Sequence, residues 1–251
     1  MRLILALVLF GALMTGALDA QRPGSVAEQY LFQAANAERA QRGLPALTWD
    51  GALYRAAVLH AQEMAARESI SHQYAGEADL AARAENAGAH FSFVAENVAM
   101  APDAVTIHTA WMNSPHHRDN LLDPRADHVG IAVLVRGREI YAVEDFDRGV
   151  AAMSFEAQEI AVANLLSRMG PLNIQVADQE ARATCEMSTG YAGPRRPWFV
   201  MRFTTGELNA LPQQLKARLA TGRYREAAIG ACALRDSQPF TSYNLAVLLY
   251  P

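Results

Sequence analysis

Hydrophobic residues recur at helical spacing in the first part of the chain and at strand spacing further along. Spacing near 3.6 residues predicts helices over 26–42 and 51–67, and Asp50 is a good N-cap for the second helix. A short helix is predicted over 78–87 and a further one over 102–113. Two apolar strands, 128–135 and 139–146, follow as a hairpin. Helices followed by a hairpin predict an α+β sandwich.

The remaining hydrophobic pattern predicts a second, smaller α+β unit after a linker at 147–153. A helix over 155–170 ends at Gly170-Pro171, and strands are expected around 173–187 and 197–204. A helix over 207–220, a short helix over 223–228 and final strands near 228–234 and 242–249 complete it. No internal sequence repeat is visible. The predicted division is therefore 24–148 for the first domain and 155–251 for the second.

The N-terminus has the pattern of a secretory signal peptide. Arg2 precedes the apolar run Leu3–Met14, and small residues follow. The run is shorter than the roughly 20 residues that a membrane-spanning helix needs. We expect residues 1–20 to be removed, with Ala17 as the alternative cleavage point, leaving no transmembrane anchor. The mature protein is then expected to be secreted or periplasmic.

Composition and cysteine usage narrow the functional classes. A net charge of −4 disfavours nucleic acid as a partner, because phosphate binding needs a basic surface. Cys185 and Cys232 are the two cysteines, and an even pair in an exported protein favours a structural disulfide. A catalytic thiol or two buried free thiols are the alternatives. Neither cysteine segment contains a histidine, which favours the disulfide.

Side chains that can bind a metal or transfer a proton lie in three separated segments. His116 and His117 follow Ser114-Pro115, and His72 and Glu96 precede them at wide spacing. Imidazoles and a carboxylate brought together from distant segments suit a metal site or an acid–base pair. The alternative is a hydrogen-bonded cluster that fixes three loops. Among the other histidines, we expect His60 to be a core residue and His90, His108 and His128 to be exposed or at strand edges.

Residues 26–146 resemble the CAP superfamily (cysteine-rich secretory proteins, antigen 5, pathogenesis-related proteins; also called the SCP domain) in its short bacterial form. The resemblance rests on an ordered series of motifs: Asn36-Ala37-Glu38-Arg39, Gly43-Leu44-Pro45, Trp49-Asp50, His60-Ala61, Ser71-His72, Ala95-Glu96-Asn97, Trp111-Met112-Asn113-Ser114-Pro115, His117-Arg118, Asn120-Leu121-Leu122 and Val129-Gly130-Ile131. It implies an α-β-α sandwich with a central cleft. The sequence of the C-terminal unit shows no resemblance to a family that we recognise.

The resemblance also implies which residues line the cleft. His72 and His117 match the family's two histidines, and Glu96 matches its first glutamate. Ser114 stands near the place of the second glutamate, so a mechanism with two carboxylates lacks its second group. In some relatives the two histidines bind zinc, so Zn²⁺ or another divalent cation is expected at His72 and His117, with Glu96 as third ligand or as an orienting group.

Three functions follow as hypotheses. The first is a binding module whose cleft takes an envelope or extracellular ligand, namely a glycan, a peptide or a lipid. The second is a metal-assisted envelope hydrolase or peptidase in which Glu96 accepts the proton from water. The third is a vestigial cleft, with partner recognition by the C-terminal unit. The sequence leaves the oligomeric state open.

Overall fold

A computed structural model describes residues 23–233 and 241–251, so the predicted signal peptide lies outside the described residues. The first unit runs α1 (Val26–Gln41), β1 (Thr48–Trp49), α2 (Gly51–Arg67), α3 (Leu80–Asn86), β2 (Phe91–Ala101), α4 (Ala104–Asn113), α5 (Pro115–Leu121), β3 (His128–Arg136) and β4 (Glu139–Gly149). The predicted helices and hairpin are present. Sequence reasoning missed β1 and β2 and interpreted the histidine-rich segment α5 as a loop.

Local capping explains where the first two helices begin. Ser25 and Glu28 form a reciprocal capping box at the start of α1. Asp50 accepts hydrogen bonds from the backbone nitrogens of Ala52 and Leu53, at 2.7 and 2.8 Å, at the start of α2. These side chains satisfy amide groups that have no partner within the helix.

The sheet of the first unit has the strand order β1-β3-β4-β2. β1 is parallel to β3, and the other neighbours are antiparallel. One face packs on α1 and α4 through a core that includes Leu31, Trp111 and Phe146. The other face packs on α2 through a core that includes Met64 and Val143. The predicted α-β-α sandwich is confirmed.

The C-terminal unit contains α6 (Phe155–Ser167), β5 (Asn173–Gln175), α7 (Gln179–Cys185), β6 (Phe199–Thr205), α8 (Gln213–Leu219), β7 (Glu226–Cys232) and β8 (Tyr243–Tyr250). The predicted strand 173–187 is wrong beyond Gln175, because Asp178 caps a short helix there. The predicted helix 223–228 is also wrong. Gly222, with φ +66°, ends the turn after α8, and the chain then enters β7, which pairs with β8.

The second sheet repeats the architecture of the first. Its order is β5-β7-β8-β6, with β5 parallel to β7 and the other neighbours antiparallel. A helix follows the short first strand in both units and packs on the second strand of the sheet. The repeat is therefore one of topology, and it escaped the sequence because few side chains are shared.

Two glycines mark the equivalent contact in the two units. A Cβ at Gly130 would lie 2.1 Å from the backbone nitrogen of Tyr54 in α2, and one at Gly230 would lie 2.0 Å from that of Arg182 in α7. Val129 and Ile229, one residue earlier, accept backbone hydrogen bonds from the capping residues Asp50 and Asp178. These equivalent contacts give a residue-by-residue correspondence between the two sheets.

The predicted disulfide is present between Cys185 and Cys232, 47 residues apart. It joins α7 to β7, and both cysteines lie in the small core on that face of the sheet. Closing a loop of this size restricts the unfolded chain and stabilises the fold by roughly 4 kcal/mol at most. The covalent bond therefore holds a helix of only 7 residues, where the equivalent α2 has 17.

The two units are in direct contact. The backbone nitrogen of Thr241 donates to the carbonyl of Phe91 at 2.7 Å, and the hydroxyl of Tyr243 donates to the carbonyl of Ala151 at 2.6 Å. Val150 packs into the core of the second unit. A search of the described residues finds no helix with the length and apolar character needed to cross a bilayer.

We predict that Gly130→Ala and Gly230→Ala each lower the free energy of unfolding by about 1–3 kcal/mol, because the added methyl group meets helix backbone. Urea unfolding measures the change. Gly24→Ala is the control, since its added Cβ would meet only a side-chain oxygen at 3.6 Å. A variant of either buried glycine that unfolds like the control contradicts the close helix approach.

Candidate functional site

The predicted site residues lie around β2, an edge strand of the first sheet. Glu96 is on this strand, His72 is in the loop after α2, and His117 is in α5. The strand edge itself is covered by side chains. The indole nitrogen of Trp111 donates to the carbonyl of Val98 at 3.2 Å, and the amide of Asn120 donates to the carbonyl of Glu96 at 3.1 Å. A ligand here therefore meets side chains rather than strand backbone.

Glu96 is buried and its carboxylate is fixed from two sides. Oε1 lies 2.8 Å from Nδ1 of His72, and Oε2 accepts a hydrogen bond from the buried guanidinium of Arg83. Arg83 also donates to the carbonyl of His72 at 3.1 Å. The ion pair thus holds the carboxylate and the histidine loop together.

His60 anchors the loop that carries His72. Its Nδ1 lies 2.6 Å from Oε1 of Glu77, and its Nε2 lies 2.7 Å from the carbonyl of Ser71. The ring is completely buried. His60 is therefore the core histidine that the sequence predicts, with both nitrogens occupied.

An amide network fixes the opposite side of the site. Asn97 donates to the carbonyl of His117 at 3.0 Å and to the buried carboxyl of Glu144 at 3.2 Å. Asn120 donates to Oδ1 of Asn97 at 3.0 Å. Burial raises the pKa of Glu144 to about 8, which keeps this carboxyl neutral near pH 7. The start of α5 is thereby tied to β2.

The two predicted cleft histidines have pKa shifts of opposite sign. The hydrogen bond to Glu96 raises the pKa of His72, whereas burial, followed by the charges of His72 and His116, lowers the pKa of His117. Nδ1 of His117 is buried without a hydrogen-bond partner among the described residues. His72 therefore keeps its proton to a higher pH than His117 does.

Comparison with known proteins places these residues within a protein family. Residues 32–146 match the family model described as the cysteine-rich secretory protein family, CAP. Those residues form a CAP domain. The match contains His72, Glu96, Ser114 and His117, whereas the second unit lies outside it.

Proteins similar to the CAP domain include two from bacteria. "Uncharacterized protein YkwD" of Bacillus subtilis is 32% identical over 123 residues, which is 46% of each chain, so the present chain spans less than half of that relative. An extracellular SCP-domain protein of Bacillus anthracis is 26% identical, with a TM-score of 0.44, covering 51% of this chain and 45% of that one. Na-ASP-1 is 11% identical, with a TM-score of 0.40, covering 96% and 91%.

A second carboxyl lies behind Glu96 in the CAP domain. Asp145 on β4 is directly opposite Glu96 in the strand register and is completely buried. Burial, reinforced by the charge of Glu96, raises its pKa well above the ordinary aspartate value. Sequence reasoning missed both Asp145 and Arg83, since neither belongs to a quoted motif. The one available signal was a run of acidic residues in an otherwise apolar strand.

Ser114 lies between α4 and α5 and is half-buried. Its side chain forms no cap hydrogen bond to α5, contrary to the helix-capping role that its sequence position favours. His116 is exposed beside it. That His72, Glu96, Ser114 and His117 line one ligand cleft stays a prediction.

The donor set at His72 and His117 does not fit a zinc site with three or four protein ligands. Glu96 occupies Nδ1 of His72, and both oxygens of Glu96 already contact His72 and Arg83. Nε2 of His72 and the ring nitrogens of His117 remain, which is too few side chains for such a site. In the described part of the chain, the set of three ligating atoms within 4.8 Å of one another belongs to Asp127, His128 and Asp147. His128, which the sequence predicts to be exposed or at a strand edge, is half-buried at the start of β3 beside these two carboxylates.

We predict that His72 titrates above the ordinary value of about 6.5 and His117 below it. The raised pKa means that the His72–Glu96 contact stabilises fully below about pH 6.5 and loses its effect as pH rises through the folded pKa. Imidazole NMR signals followed against pH measure both values. Glu96→Gln should lower the pKa of His72, and equal pKa values for the two histidines contradict the assignment.

Arg83→Met is predicted to lower the free energy of unfolding by about 3–5 kcal/mol, because it leaves the buried Glu96 without its cation. Chemical denaturation measures the loss. The double variant Arg83→Met/Glu96→Gln should recover part of it. Arg67→Met is the matched control, since its ion pair with Glu63 is half exposed. Equal effects of Arg83→Met and the control contradict the role of the buried ion pair.

Proposed function

We propose that this protein is an exported binding module, secreted or periplasmic, whose CAP domain binds soluble glycopeptide fragments of the cell envelope. The signal-peptide pattern of residues 1–20 and the disulfide support export. Binding takes place at His72, Glu96, Ser114 and His117. The observation that carries the proposal is the buried polar set on β2 and β4.

The second sheet serves as an internal control for that polar set. By register, Leu245 and Ala246 occupy the positions equivalent to Glu144 and Asp145. The same strand order thus forms with apolar residues there. Burying carboxyl groups costs free energy, so their presence in the CAP domain supports a role in binding rather than in folding.

The chemistry of the site favours a polar ligand. His72, raised in pKa and largely exposed, suits a ligand carboxylate, while a neutral His117 suits a hydroxyl or amide group. The hydroxyl of Ser114 adds a third polar group. Glycopeptide fragments carry carboxylates, hydroxyls and amides together, whereas a lipid acyl chain carries none of them.

Glu96 is poorly placed to serve the hydrolase alternative. A general base must reach the proton of the attacking water, but Glu96 is 5% exposed and already contacts His72 and Arg83. The same contacts hold the imidazole of His72 in place, which supports binding without turnover.

Calorimetry with soluble muropeptides tests the proposal on the full mature protein. His72→Ala and His117→Ala are each expected to weaken binding at least about tenfold, a loss of about 1.4 kcal/mol. Arg138→Ala, an exposed hairpin-turn variant, should bind normally. Binding should persist in chelator.

Three outcomes would count against this function. Unchanged affinity in both folded histidine variants removes the site. Binding lost on deletion of residues 155–251, with the CAP domain folded, favours recognition by the second unit. Cleaved muropeptide in the product mixture, dependent on metal and on Glu96, favours the hydrolase.

A further inference from the structure

A second polar cluster lies on the first sheet, on the face that packs on α2 and near the start of that helix. Nδ1 of His128 is 3.0 Å from Oδ1 of Asp127 and 3.1 Å from Oδ1 of Asp147. His128 and Asp147 are directly opposite each other on β3 and β4. These three atoms lie within 4.8 Å of one another, which is compact enough for a shared cation.

The backbone around the cluster fixes the orientation of its side chains. Asp127 accepts a hydrogen bond from the backbone nitrogen of Gly149 at 2.8 Å, and its own nitrogen donates to the carbonyl of Asp147 at 2.9 Å. A Cβ at Gly149 would lie 2.3 Å from Cε1 of His128. Glycine at this position therefore leaves the space in which the imidazole sits.

The cluster opens into a cavity of ≈ 350 Å³. Its wall includes His128, Asp147, His90, Gly88 and Asp50. The cavity gives water or a small ligand access to the side chains of His128 and Asp147. A cation held by three protein atoms needs such space, because further ligands complete its coordination shell.

Negative charge exceeds positive charge around the cluster. Asp50 adds a third carboxylate on the same cavity wall, although its Oδ1 caps α2. The positive groups are His128, when protonated, and Arg148, which is 3.8 Å from Oδ2 of Asp127 and also pairs with Glu207. A divalent cation would balance this excess more completely than the shared Arg148 does.

The fold itself does not require these polar residues. By register, Ala228 and Leu248 of the second sheet occupy the positions of His128 and Asp147. Both are buried in an apolar core. The same strand pair is therefore stable without an ion pair at this place.

We propose that Asp127, His128 and Asp147 form a divalent-cation site, separate from the cleft at His72 and His117, with Mn²⁺ as the best-matched ion. The separations of 3.0 and 3.1 Å match the ~3.0 Å between adjacent ligands of an octahedral ion with bonds of about 2.1 Å. Two carboxylates with one imidazole suit Mn²⁺. Binding through Nδ1 displaces any proton from that nitrogen.

Titration of Mn²⁺ into the full mature, metal-stripped protein, followed by the EPR signal of the free ion, tests the site. One bound ion per chain is expected. His128→Gln and Asp147→Asn should each weaken binding at least about tenfold, and Gly149→Ala should weaken it while leaving all three donors in place. His72→Ala and His117→Ala should bind Mn²⁺ as the parent protein does.

Circular dichroism and thermal melting establish that each variant is folded. The proposal is overturned if the parent protein binds no Mn²⁺ at millimolar concentration. It is also overturned if affinity is unchanged in His128→Gln and Asp147→Asn, or if only the cleft variants lose binding. Zn²⁺ displacing Mn²⁺ from the same three residues would keep the site and change the identity of its ion.

Discussion

The buried ion pair between Arg83 and Glu96 is the contact on which the rest of the candidate site depends. Arg83 comes from the short helix α3 and Glu96 from an edge strand, and both are nearly inaccessible to solvent. The pair positions His72 through Glu96 and through the carbonyl of His72. A buried ion pair adds little net stability, so its value here is geometric: it fixes a loop against a strand.

The two sheets show what is scaffold and what is site. Both units place a helix against a glycine on the second strand of the sheet and fill the faces with small apolar residues. The CAP domain has buried carboxyl groups at the centre and end of β4, where the equivalent strand β8 of the second unit has apolar residues. The second unit has a disulfide and a shorter helix instead, which provides stability without polar chemistry at those positions.

Sequence alone predicted the parts governed by periodicity and by motif. Helices α1 and α2 and the β3–β4 hairpin follow from spacing and caps, and Glu96 and the two cleft histidines from the family resemblance. Arg83 could not be predicted, because an arginine in an alanine-rich helix is typical of a solvated surface. Asp145 and the repeated topology depend on strand register, which only tertiary pairing reveals. Helix α7 was missed because seven residues are too few to show a period.

We propose that His72, Glu96 and His117 form one ligand site across the edge strand. NMR chemical-shift mapping with a soluble muropeptide tests it most directly. We expect shifts in the imidazoles of His72 and His117 and in the backbone amides near 96 and 117, with no change in the second sheet. Shifts confined to residues 199–205, or none at saturating muropeptide, would contradict it.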